Sequence, residues 1–173
     1  MQSTPLSTEE INELCLQFLE TTTKAHPRYY PLFDTLYRTG MRFEDCYSLS
    51  RWAIVSPQVV TVQTAKGSDI RTFTESDINP YLWAAIHAQN FSYFNFSYST
   101  IRRYFSLAFP IPNLTVLSKP IKTHIFRHNK ARMLKASGLS DLEIKAYLGE
   151  RSLSSAKSYI YSNIVPSTKS SPY

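Results

Sequence analysis

One stretch, residues 121–161 (IKTHIFRHNKARMLKASGLSDLEIKAYLGERSLSSAKSYIY), leaves the chain little freedom in how it can fold. It reads as short helices separated by Gly138 and Gly149, because glycine accepts the left-handed backbone that ends a helix. Ser140 with Glu143 forms a capping box and Leu139 with Ile144 a hydrophobic staple, so one helix starts near 141 and stops at Gly149. Ser152 can cap a last helix over residues 153–162. At the head of the stretch, His124 and Arg127 are three apart and share a helical face. Thr123 is in position to cap that helix, which would set both side chains at its positive end, where an anion is favoured. A tyrosine hydroxyl such as that of Tyr159, brought to a phosphate held there, would stand as a nucleophile.

The remaining elements follow from the same signals. Ser7 with Glu10 forms a capping box, Leu6 with Ile11 a staple, and Ile11, Leu14, Cys15, Phe18 and Leu19 an apolar stripe at helical spacing. Residues 27–39 read as a second helix stopped by Gly40, and 43–49 as a short one carrying Asp45 three residues after Arg42. Residues 52–55, 59–63 and 70–74 read as three strands, with Lys66 on the tip of the second hairpin. Helices are expected over 75–89 and 99–109, the latter displaying Arg102 and Arg103. The aromatic run between them, residues 90–99, reads as core rather than as a platform for bases. Residues 110–120 read as a loop, and 163–173 as a tail, frayed or docked on a partner. The expected fold is mostly α with a small three-stranded antiparallel sheet.

At 173 residues and 43% hydrophobic composition, the chain fits one domain over 1–173, with its core over about 6–162. It has no membrane-length apolar run, and its first residues lack the pattern of a secretory signal. Cys15 and Cys46 therefore read as reduced core residues of an intracellular, cytoplasmic protein. Residues 101–173 hold 12 Lys/Arg against 3 Asp/Glu, whereas residues 1–100 hold 7 against 10. Basic charge gathered in one half suits either a polyanion partner or a solvated face.

Taken in order, these residues resemble the tyrosine recombinase (phage-integrase) family. The matching features are Thr39-Gly40-Met41-Arg42, Lys66-Gly67 in a hairpin turn, His124-Ile125-Phe126-Arg127, Leu148-Gly149, and Tyr159 nine residues beyond position 150. Each is weak alone, and together they are strong. The resemblance covers about residues 6–161 and departs at Glu150, where the family has His or Trp. It implies a catalytic domain without the family's N-terminal DNA-clamping domain.

The resemblance also assigns roles. Tyr159 would attack the phosphorus, with His124 helping to remove a proton whose free pKa is near ~10. Arg42 and Arg127 would clamp the non-bridging oxygens, Asp45 would orient Arg42, and Lys66 would protonate the leaving 5′-oxygen. Arg102, Arg103, Lys122, Lys130 and Arg151 would contact DNA phosphates. No metal or cofactor is implied. The partner would be double-stranded DNA, met by a free monomer that assembles as a homotetramer on paired sites. Two alternatives stay open: a DNA-binding accessory or regulatory protein that has lost cleavage, and a type IB topoisomerase-like enzyme. Glu150 stands as a handicap, since an ionised carboxylate cannot donate to a phosphate oxygen and repels it by ~4 kcal/mol at ~4 Å in a dielectric of ~20. A turn away from the site is the expected remedy, ahead of pairing with Arg151 or protonation.

Overall fold

Helix α1 (Thr8–Ala25) begins where the sequence signals it, with the Ser7 hydroxyl accepting from the Glu10 N–H and the Glu10 carboxylate accepting from the Ser7 N–H. The structure, a computed structural model, describes residues 4–64 and 69–167. Lys66, expected on a hairpin tip, lies outside them. Helices α2 (Tyr30–Thr39) and α3 (Phe43–Tyr47) follow, and Gly40 ends α2 in the left-handed conformation, with φ +69°. A Cβ at Gly40 would come within 3.0 Å of Lys130 Cβ, so this stop also lets two chain segments touch.

Strands β1 (Trp52–Ser56), β2 (Val59–Val62) and β3 (Arg71–Thr74) form the expected antiparallel sheet, in the order β1-β2-β3. Val60 pairs with Phe73, and Val60, Val62, Arg71 and Phe73 are all buried. After a 3-10 turn, α4 (Pro80–His87) is capped by the Asn79 side chain and is shorter than the expected 75–89. The aromatic run packs inward only in part: Phe94 is buried and stacks on Tyr47, whereas Phe91 is exposed. Helix α5 (Tyr98–Ala108) comes next.

The chain departs from expectation in two places. Residues 110–120 are not simply a loop: β4 (Leu114–Val116) and β5 (Lys119–Pro120) form a hairpin. The tail is not frayed as far as Ser167, because β6 (Val165–Pro166) pairs with β4 to complete a second three-stranded sheet, in the order β5-β4-β6. Ile164 is fully buried, and its carbonyl accepts from Leu6 N–H at 2.9 Å.

Helix α6 (Ile125–Ala136) is the spine. Residues 125–129 are all buried, so the helix is enclosed on more than one face. One side carries Ile125 and Phe126 into the main core, while Ala131 joins Ile144 of α7 (Asp141–Leu148) and Ile160 of α8 (Leu153–Tyr161) in a second, smaller cluster. The main core centres on Phe18, whose ring meets Phe33 edge-on at 4.8 Å, Phe105 at 5.2 Å and Phe126 at 6.0 Å. One side chain thus joins α1, α2, α5 and α6. Phe18→Ala should destabilise the fold by about 3–5 kcal/mol, the loss typical of a fully enclosed phenylalanine. Chemical denaturation should show this as a lower midpoint.

Candidate functional site

The site lies where the ends of α2, α6 and α7 meet, and Arg127 holds them together. Its guanidinium is buried and donates Nη1–H to the Gly40 carbonyl (2.8 Å) and Nη2–H to the Leu148 carbonyl (2.9 Å). Both acceptors belong to helix C-termini, whose carbonyls lack partners within the helix and carry partial negative charge. The same Nη2 lies 2.7 Å from Glu150 Oε1. Arg42 Nη2 reaches that oxygen at 2.7 Å as well, while its Nη1 is 3.9 Å from Asp45 Oδ2. Asp45 is thus beside Arg42 as expected, but the closer partner is Glu150.

Glu150 does not turn away. It is buried and bridges the two arginines, while its neighbour Arg151 is exposed. The physical reason is charge: two enclosed guanidiniums a few ångströms apart would repel each other without an anion between them.

Tyr159, on α8, is half-buried beside the cluster. Its hydroxyl is 3.3 Å from His124 Nδ1, and the Arg127 guanidinium lies 5.0 Å from the centre of its ring. Tyr161, two residues further along α8, is on the outside, donating its hydroxyl to Asp141 Oδ1 at 2.8 Å. Thr123 does not cap α6. A 3-10 turn over Lys122–His124 precedes the helix, so His124 itself takes the cap position and no side chain caps there.

The predicted DNA contacts divide. Arg103, Lys122 and Arg151 are exposed, and Arg102 is half-buried over the Tyr98 ring. Lys130 is half-buried with its ammonium 5.5 Å from the Tyr147 ring centre, and burial lowers its pKa. Two residues of the cluster carry no assignment from the sequence. Arg71, on β3, donates to the Thr39 carbonyl at 2.8 Å and is sandwiched between Phe73 and Tyr147. Burial, and then the neighbouring Arg127 charge, push its pKa down to about 9, so it is still a cation at neutral pH. Gly149, with φ +72°, makes room for it, since a Cβ there would meet Arg71 Cγ at 3.1 Å. The other is His128, which meets the Tyr159 ring edge-on and donates Nδ1–H to the Tyr159 carbonyl at 3.3 Å. Each could have been found by periodicity: Arg71 shares a strand face with Phe73, and His128 a helix face with His124.

Among the described residues, no group of three or more His, Cys, Asp or Glu is placed to hold a metal, and no helix is long and apolar enough to cross a membrane.

This architecture is the fold of a tyrosine recombinase catalytic domain. The chain is similar to XerA recombinase, with a TM-score of 0.61 and 20% identity over 93% of this chain and 61% of that one. It is similar to the catalytic domain of bacteriophage HP1 integrase, with a TM-score of 0.59 and 19% identity over 91% of this chain and 87% of that one. It also resembles XerH site-specific recombinase in a post-cleavage complex with its palindromic difH substrate, with a TM-score of 0.56 and 15% identity over 92% of this chain. The chain spans 61% of the XerA chain and 49% of the XerH chain. No protein-family model and no curated protein sequence matches it.

His128 gives the site a testable acid sensitivity. Burial first, helped by the positive Arg132 and Arg127, outweighs the hydrogen bond to the Tyr159 carbonyl and depresses its pKa to about 4 from an ordinary 6.5. The unfolded chain therefore binds a proton that the folded chain refuses, and stability falls as pH drops from about 6.5 toward 4. Over that window the wild-type chain should lose up to roughly 3 kcal/mol more than His128→Gln, measured by denaturation at pH 7 and pH 4.

Proposed function

We propose that the chain is the catalytic domain of a site-specific DNA recombinase or integrase, cutting and rejoining double-stranded DNA through Tyr159. The observation that carries this is the Tyr159 hydroxyl, 3.3 Å from His124 Nδ1, beside two arginines that converge on one anionic oxygen. With a backbone phosphate in place of that oxygen, Arg42 and Arg127 neutralise the charge that builds on the non-bridging oxygens. The Tyr159 oxygen attacks phosphorus as its proton passes to His124, and the bond from phosphorus to the 5′-oxygen breaks. Lys66 is the proposed donor of the proton that this oxygen takes up. The products are a 3′-phosphotyrosyl enzyme and a free 5′-hydroxyl, and a second DNA end reverses the steps without ATP.

Arg102, Arg103, Lys122 and Arg151 supply phosphate contacts beside the site, while Lys130 reaches DNA only by leaving the Tyr147 ring. The free chain is a monomer that forms a tetramer on paired DNA sites, acting in the cytoplasm on nucleoid DNA. Of the apolar side chains in the C-terminal segment that could dock on a second subunit, Ile160 and Ile164 are buried within their own chain and Val165 is half-buried in β6, which supports the monomer. One observation favours the accessory reading instead: Glu150 occupies the place a phosphate would take.

A nicked suicide substrate, whose short 5′-hydroxyl fragment diffuses away, tests the reaction. Wild type should form a covalent adduct, whereas Tyr159→Phe should form none while binding DNA nearly as well. An adduct kept in Tyr159→Phe and lost in Tyr161→Phe would move the nucleophile to Tyr161. Affinity should also fall steeply with salt. Four or five phosphate contacts give a slope of log K against log salt of roughly −4, measurable by fluorescence anisotropy. A flat slope would remove DNA as the principal ligand.

A further inference from the structure

Glu150 Oε1 sits 2.7 Å from Arg42 Nη2 and 2.7 Å from Arg127 Nη2, where the two guanidiniums converge. A carboxylate oxygen and a non-bridging phosphate oxygen accept the same forked donors, so Glu150 and an incoming anion compete for one pair of arginines. The backbone beneath Glu150 is held: its N–H donates to the Lys145 carbonyl at 3.1 Å, and the Gly149 N–H donates to the Ala146 carbonyl at 3.2 Å. Exchange therefore proceeds by rotation of the side chain. Arg127 keeps its grip on Gly40 and Leu148 meanwhile. A carboxylate and a phosphodiester each bear one negative charge, so the exchange conserves the charge of the cradle.

We propose that Glu150 determines the specificity of this site: its carboxylate fills the arginine cradle, shuts out free phosphate anions, and yields only to a backbone phosphate that extended DNA holds in place. The identity of the displacing group rests on the recombinase reading. A small anion must open the cradle with its own binding energy alone. A DNA phosphate is backed by contacts elsewhere on the duplex, and that remote binding drives the rotation. If Glu150 lies in the cradle about 90–99% of the time, the apparent affinity for a free anion falls by roughly tenfold to a hundredfold.

The test uses inorganic phosphate, titrated calorimetrically into the whole chain at fixed ionic strength. Glu150→Gln keeps the shape and removes the charge, and it should bind phosphate at least tenfold more tightly than wild type. Adding Arg42→Gln to that variant should abolish the gain. Equal affinity in wild type and Glu150→Gln overturns the proposal, and so does a gain that survives the loss of Arg42. Should Glu150→Gln not fold, Glu150→Asp carries the same test, because its carboxylate is one methylene too short to bridge both arginines. Tighter phosphate binding in Glu150→Asp supports the proposal, and unchanged binding overturns it. Adduct formation on the suicide substrate is scored separately. A phosphate gain with no adduct in either chain leaves the role of Glu150 standing and removes the recombinase reading.

Discussion

Arg127 is the interaction on which the site depends. A buried guanidinium is costly unless its donors and its charge are both met. Here the donors are met by the last carbonyls of α2 and α7, and the charge by Glu150. The arginine thus fastens two helix ends to a third helix, α6, and fixes where α8 can begin. Arg71 repeats the arrangement one residue away, taking the Thr39 carbonyl while Arg127 takes that of Gly40. Neighbouring carbonyls at the end of α2 are therefore held by two different cations.

This concentration of positive charge decides the electrostatic character of the cluster. Among the described residues, three guanidiniums, those of Arg42, Arg71 and Arg127, face two nearby carboxylates, Asp45 and Glu150. Arg71 lies between Phe73 and Tyr147, out of reach of solvent, so it contributes field rather than contact. The Nε atoms of Arg71 and Arg127 have no hydrogen-bond partner among the described residues. Among the described residues, the cluster holds more guanidinium donors than acceptors to meet them.

Local signals in the sequence predict the elements and much of the site. The Ser7–Glu10 and Ser140–Glu143 boxes, the Gly40 and Gly149 stops and the Ser152 cap all depend on residues within a few positions of one another, and all appear where expected. The approach of Tyr159 to His124 follows from the resemblance, and the geometry brings the two together. What stayed hidden depends on distant partners. Strand β6 exists only because β4 lies beside it, and neither two-residue Val165–Pro166 nor its neighbour carries enough pattern to show the pairing. Glu150 turns inward because Arg42, remote in sequence, waits there. Thr123 has the chemistry of a cap, but the 3-10 turn it belongs to shifts the helix start past it.

The hydrogen bond from Leu6 to Ile164 brings the chain's entry into α1 against its exit from α8. Next to it, Thr115 and Leu114 hold Val165 and Pro166 in register, and Ser167 N–H closes on the Asn113 carbonyl at 2.9 Å. Residues 6 and 164 therefore stand side by side. Leu114 and Ile164 are buried in the same core as Phe18, and Leu6 packs against it, so the clasp is continuous with the aromatic core. The first and last described elements thus close on each other as a seam of one buried core, and the helix that carries Arg127 packs against that same core.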